Sequence, residues 1–296
     1  MSFPTRRKDN DLKVVAQETK KLLPFVLDQL QPIDTTTSTR YHFQDLQPLE
    51  PSACPQHKLG ENDIETGRLG TRIKVFDQDS FDAAIALQPG TTIGDFRKPV
   101  AVLNLASERR PGGGWENGAL AQEEALCYRS SLYLTLKPEY YPIPPLSSVY
   151  SPTVIIIRDA LARGHGPLVP GTDAKQLAVT SVLTVAAARG PMVARDHTYL
   201  FNGDRELMKS KIRVTLRMAA RNGHTKLVLG ALGCGAFGNP PKDVAQCYLE
   251  VFREAEFQGG WWEDIVFAVL DNVQGGGKEG IGNYGVFYRA LNNVVV

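Results

Sequence analysis

Apolar residues recur at helical spacing near the start of the chain. Leu12, Val15, Leu22, Val26 and Leu30 fall three, four or seven positions apart, which predicts a helix over 6–30. A polar stretch punctuated by proline follows, from 32 to 69, and residues 35–39 are nearly devoid of apolar side chains. The run RIKVF (72–76) alternates as a strand does, and Asp79-Ser80 supplies a cap ahead of the short helix FDAAIAL. From there the rhythm is strand, loop, helix. PVAVLNL (99–105) is a near-continuous apolar run of the kind buried on both faces of a sheet. A glycine-rich loop follows at 111–118, then a predicted helix over 119–134. TVIII (153–157), KLVLGAL (226–232) and IVFAVL (265–270) read as further interior strands. Helical periodicity fills 204–221 and 241–256, the second opened by Pro240-Pro241, and a last helix is predicted over 284–292. Buried strands alternating with helices predict an α/β fold whose sheet is covered on both faces. Gly275-Gly276-Gly277 reads as a flexible connector.

Composition narrows the function. Among 296 residues, 33 Lys and Arg balance 32 Asp and Glu for a net charge of +1, which argues against a strongly electrostatic nucleic-acid or membrane binder. The 4 cysteines (Cys54, Cys127, Cys234, Cys247) form no CxxC pair, so neither a disulfide framework nor a common zinc pattern is expected. Cys54 and His57 make a lone CxxH with no partner ligands, and the 5 histidines are scattered outside any nucleophile motif. The first residues hold no apolar leader, and no apolar run reaches the roughly 18 residues a membrane helix needs. The expectation is a soluble intracellular protein, cytoplasmic or nuclear, with free thiols, no metal and no cofactor.

Two glycine loops carry the candidate chemistry. Pro111-Gly112-Gly113-Gly114 follows the strand PVAVLNL, and consecutive glycines let an anion approach the backbone closely. Gly233-Cys234-Gly235-Ala236-Phe237-Gly238 follows KLVLGAL and satisfies GxGxxG in a strand–turn–helix context, the dinucleotide fingerprint. That fingerprint wants an acidic residue about 20 positions on, at the end of the next strand. Here that distance falls on Gln258, so an NAD-binding unit is disfavoured. Two such loops, each after a buried strand, more naturally clasp one extended diphosphate.

Seven residues after the first loop's glycines, Gln122-Glu123-Glu124 opens a helix. Adjacent helical residues diverge by about 100°, so these carboxylates are expected to do separate jobs and not to share a proton. Acidic residues are also favoured in a first helical turn by the dipole alone.

The combination changes the picture. VLNLASERRPGGGWENGALAQEEALCYRSSLY, with LGCGAFGNPP further on, resembles the microbial-type poly(ADP-ribose) glycohydrolases, enzymes of the macrodomain superfamily. The resemblance implies a three-layer α/β/α catalytic domain with a mixed central sheet over 71–296, preceded by an N-terminal helical extension, 1–70, packing on it. It implies hydrolysis of ribose–ribose glycosidic bonds with Glu124 as the general acid, kept protonated by partial burial, and Glu123 orienting the leaving ribose. It further implies that Gly112, Gly113, Gly114, Gly233, Gly235, Ala236 and Gly238 hold the diphosphate. Asn104 and Gln122 would position ligand, Phe237 would press on the distal ribose, and Phe287 would stack on adenine. The partners implied are ADP-ribose and poly(ADP-ribose) on modified proteins, met by a monomer without direct nucleic-acid binding. One departure is visible: Arg110 occupies the place before the glycines where macrodomains often carry a ribose-binding asparagine. The alternatives are an ADP-ribose-binding module, which has no need of an intact Gln-Glu-Glu, and a hydrolase of mono-ADP-ribosyl linkages.

Overall fold

The computed structural model describes residues 9–296, and residues 6–8 of the first predicted helix lie outside the described residues. Helix α1 (Asp9–Asp28) buries Leu12, Val15, Leu23 and Val26 along one stripe. Each such side chain contributes about 1.5–3 kcal/mol when removed from water. Seven strands form one sheet in the order β1-β4-β5-β3-β6-β7-β2. They are β1 (Thr39–His42), β2 (Lys74–Phe76), β3 (Ala101–Leu105), β4 (Ser147–Ile155), β5 (Val179–Val185), β6 (Lys226–Leu229) and β7 (Asp264–Ala268). The five from β5 to β2 run parallel, while β4 and β1 pair antiparallel at one edge. The sheet is therefore mixed. Thr39–His42, assigned by sequence to the extension, is an edge strand of this sheet.

Helices cover both faces. One face packs against α4 (Asn202–Arg221), α5 (Pro241–Phe252) and α6 (Asn283–Leu291), through Ile212, Tyr248, Phe287 and their neighbours. The other packs against α1, α2 (Ser80–Leu87) and α3 (Gln122–Arg129), through Val15, Phe81 and Leu126. Helix α3 ends five residues before the predicted end at 134. Arg129, 1% exposed, turns to the carboxylates of Asp79 and Asp82, and Ser130 bridges to Ile156 in extended conformation. Asp79 also caps α2 by accepting from Phe81 N and Asp82 N. One arginine thus joins the end of α3 to the start of α2.

Strand β5 escaped the apolar pattern because its sequence, VTSVLTV, interleaves hydroxyls, yet all its residues are buried. The hydroxyls are tolerated where they find partners: Ser181 Oγ donates to Pro152 O at 2.6 Å, and Thr184 Oγ1 accepts from Asn104 Nδ2 at 3.2 Å. The loops after β2, β3, β5, β6 and β7 leave the same end of the parallel strands. That end is where open α/β sheets place their ligands.

Candidate active site

The loop after β3 is folded around the head of α3. Tyr128 Oη donates toward the carbonyls of Trp115 and Ala119, fixing the loop from behind. Trp115 is buried against Tyr133, with ring centroids 4.9 Å apart, and α1 contributes Lys20 above it. The N-terminal helix therefore buttresses the glycine loop.

The loop's amides point inward at the carboxylates. Gly114 N donates to Glu124 Oε1 at 2.9 Å and Ala121 N to Glu124 Oε2 at 3.1 Å. Ser107 N donates to Glu123 Oε2 at 2.7 Å. Gly113 N is spent on Arg110 O at 3.2 Å. Two of the three glycine amides expected at a diphosphate are thus held within the protein, Gly113 N by Arg110 O and Gly114 N by Glu124. Gly113 is required for another reason: at φ +59°, a Cβ there would overlap Glu124 Oε1 and lie 3.1 Å from Glu123 Oε2. Both carboxylates converge on one point above this glycine, although they are adjacent on a helix. They are only the second and third residues of α3, so the loop folds back over both.

The convergence has an electrostatic consequence. Burial pushes the Glu123 carboxyl up to about 8, and the charge of Glu124 adds to the rise against the opposing Ser107, Asn104 and Gly112 donors. The carboxyl that burial holds protonated near neutrality is that of Glu123. Glu123 is 2% exposed and Glu124 9%, so Glu124 is the more open of the two.

Three of the residues expected at the ligand are engaged within the protein. Asn104 is fully buried; its Nδ2 serves Glu123 Oε1 at 3.3 Å and Thr184. Gln122 spends its side chain on the fold, accepting from Leu105 N at 2.8 Å and donating to Leu103 O at 2.8 Å and Ser80 Oγ at 3.2 Å. Phe287 lies in the core against Tyr248 and Phe267, with 0% exposure and no face for an adenine. A residue on the inner stripe of α6 packs on the sheet before it can meet a ligand.

The second loop is different. Gly233, at φ +75°, is packed so closely on Ala187 and Asn239 that no side chain fits. Gly235, Ala236 and Gly238 are exposed, and the amides of Gly235, Ala236 and Phe237 make no hydrogen bond among the described residues. Free donors ahead of α5 are of the kind that can accept an anion. Phe237 is half-buried, and Arg189 stacks on it while pairing with Glu108 at 2.8 and 2.9 Å. Sequence reasoning missed Arg189, which follows the unrecognised β5. It also missed an apolar ledge: Phe76 and Leu270, at the ends of β2 and β7, are 44% and 62% exposed. Asp271 N bonds to Asp77 Oδ1 at 2.8 Å beside them, and Asn283 Nδ2 reaches Cys234 O at 3.4 Å, tying α6 to the second loop.

Residues 33–159 match the family model of the microbial-type poly(ADP-ribose) glycohydrolase (PARG) catalytic domain. The solved structure of a poly(ADP-ribose) glycohydrolase mutant from Thermomonospora curvata superimposes with a TM-score of 0.72 at 26% identity, over 95% of this chain and 99% of that one. In sequence over 33–159 and in fold over 95% of its length, the chain is similar to the microbial-type PARGs. The T. curvata enzyme bound to the inhibitor ADP-HPD matches with a TM-score of 0.70 at 26% identity over the same shares. The Deinococcus radiodurans PARG in complex with ADP-ribose matches at 0.64 and 29%, over 87% of this chain and 95% of that one. No curated protein matches the chain. As a PARG-like chain it carries the macrodomain-like mixed sheet. No helix of the described residues is long and apolar enough to cross a membrane. Among the described residues no group of three or more His, Cys, Asp or Glu could hold a metal ion. Cys54 Sγ instead donates to Gly259 O at 3.2 Å, and His57 N to Gly260 O at 2.8 Å, fastening a surface loop.

Proposed function

We infer that the chain is a poly(ADP-ribose) glycohydrolase, releasing ADP-ribose by hydrolysis of ribose–ribose bonds. The observation that carries this reading is the convergence of Glu123 and Glu124 above Gly113, together with the free amides of the second loop. The amides of Gly235, Ala236 and Phe237 take the diphosphate. The base lies toward Phe76 and Leu270, in place of Phe287. Phe237, steadied by Arg189, closes over the distal ribose.

Protonated Glu124 gives its proton to the leaving ribose oxygen as the C–O bond breaks, leaving an oxocarbenium-like sugar. The Glu124 carboxylate then takes a proton from the water that attacks the anomeric carbon, which restores the acid. Burial keeps a proton on Glu123 near neutrality, beside the carboxyl of Glu124. Glu123 meets the ribose hydroxyls, with Asn104 and Ser107 N fixing its position. ADP-ribosylated proteins inside the cell are the partners this reading calls for, with the chain acting as a monomer.

Incubation with automodified poly(ADP-ribose) tests the reading. Free ADP-ribose is the expected product. A wild-type protein that binds ADP-ribose but releases none from polymer or from mono-ADP-ribosylated protein would make the chain a binding module.

A further inference from the structure

The segment that opens the loop after β3 is fastened to the site along its length. Ser107 N donates to Glu123 Oε2 at 2.7 Å. Glu108 holds the Arg189 guanidinium at 2.8 and 2.9 Å, and that guanidinium lies 3.9 Å over the Phe237 ring. Arg110 O accepts from Gly113 N at 3.2 Å, and a side chain on Gly113 would run into both carboxylates. Residues 107–110 therefore border the space between Phe237 and the Glu123–Glu124 pair. Within this segment the exposed side chains are those of Arg109 and Arg110. Arg109 touches the Glu108 carboxylate through Nε alone, at 3.2 Å, and its side chain is 70% exposed. The terminal nitrogens of Arg109 and the guanidinium of Arg110 have no partner among the described residues. One carboxylate is thus set against three guanidinium groups at this rim, in a chain whose net charge is only +1.

We propose that Arg109 and Arg110 form a subsite for the diphosphate of the neighbouring ADP-ribose unit, the one that leaves with the rest of the polymer. The inference rests on the glycohydrolase reading above, which puts the distal ribose between Phe237 and the carboxylates. The oxygen that leaves belongs to the adenosine ribose of the next unit. That ribose carries its own diphosphate on its exocyclic carbon, one sugar ring away from the bond that breaks. A dianion therefore emerges beside the carboxylates, where residues 107–110 border the opening. Guanidinium groups meet phosphate oxygens through parallel, charge-assisted hydrogen bonds, and the free terminal nitrogens of Arg109 and Arg110 can make them. An ADP-ribose attached singly to a protein side chain brings no such diphosphate. The arginines thus favour polymer over mono-ADP-ribosyl protein, a choice open to neither the carboxylates nor the second loop, which meet the terminal unit alone.

Calorimetry on Glu124→Gln, which keeps both loops and is too slow to consume the ligand, tests this with ADP-ribose and a purified ADP-ribose dimer as probes. The dimer should bind about tenfold more tightly than ADP-ribose, and the excess should shrink as salt is raised. Adding Arg109→Gln and Arg110→Gln should abolish the excess while the affinity for ADP-ribose stays where it was. The melting temperature should not move, because both side chains are exposed and it is the Arg110 carbonyl that holds Gly113. Equal affinity of Glu124→Gln for the two probes would overturn the proposal. So would a dimer excess that survives both substitutions, or an equal loss of affinity for both probes. If the wild-type protein releases no ADP-ribose from polymer, the glycohydrolase reading has failed, and the binding comparison still decides whether the subsite exists.

Discussion

The guanidinium of Arg189 lies 3.9 Å over the ring of Phe237, and the same guanidinium is held by both oxygens of Glu108. The loops after β3, β5 and β6 are thereby joined at the rim of the site by one stack. A cation over an exposed ring contributes about 0.5–1 kcal/mol, enough to bias the ring's orientation. Phe237→Ala is expected to weaken ADP-ribose binding by about tenfold in calorimetry, and Arg189→Ala by less. Wild-type affinity in Phe237→Ala would remove the ring from the ligand.

Gly113→Val tests the close approach of the loop to the carboxylates. The backbone there is left-handed at φ +59°, and the new Cβ overlaps Glu124 Oε1. A left-handed β-branched residue costs at least about 1–2 kcal/mol before the clash is counted. The variant should lose hydrolysis and also melt several degrees lower. An unchanged melting temperature would show that the loop yields more easily than its contacts imply.

Glu124→Gln keeps the size of the side chain but cannot cycle a proton. It also turns one NH₂ toward an amide, Gly114 N or Ala121 N, that now donates to the carboxylate. Polymer hydrolysis should fall by at least about 10²-fold, the lower range for a lost general acid–base group. ADP-ribose binding should persist, because the second loop is untouched. Hydrolysis at the wild-type rate would mean that the acid lies elsewhere.

Glu123→Gln should make the protein more stable in a pH-dependent way. The folded carboxyl is raised to about 8, above its ordinary value of 4.5. Between those values the unfolded chain releases the proton while the folded protein keeps it, so stability falls as pH rises and the full penalty stands above pH 8. Each tenfold difference in proton affinity between the folded and unfolded chain corresponds to about 1.4 kcal/mol. Calorimetry should therefore find a small gain in melting temperature for Glu123→Gln near pH 4–5 and a large one at pH 8, with hydrolysis impaired. A gain that does not grow with pH would contradict a buried, protonated Glu123.

The glycine loops and the Gln-Glu-Glu run were legible because both depend on neighbours in the chain. Three glycines followed by an acidic helix start describe a local shape, whatever surrounds it. The partners of Asn104, Gln122 and Phe287 within the fold were not legible. Each is a plausible ligand residue by type, yet which way it faces depends on strands and helices distant in sequence: Thr184 for Asn104, β3 for Gln122, Tyr248 and Phe267 for Phe287. Arg189 and β5 were missed together, since hydroxyls interrupting an apolar run hide a strand whose polar groups are satisfied by tertiary partners.

By itself the sequence determined the α/β alternation, the two loops, the carboxylate pair and the likeness to the microbial-type PARGs, because periodicity and short motifs are properties of adjacent residues. The tertiary structure decided which donors remain free for a ligand and which carboxyl keeps its proton. In the first loop Gly113 N is taken by Arg110 O and Gly114 N by Glu124, while Gly235, Ala236 and Phe237 keep theirs. Glu123 is raised because α3 and the folded-back loop bury it beside Glu124. Desolvation and hydrogen-bond competition act through space, and only the folded chain brings the competing groups together.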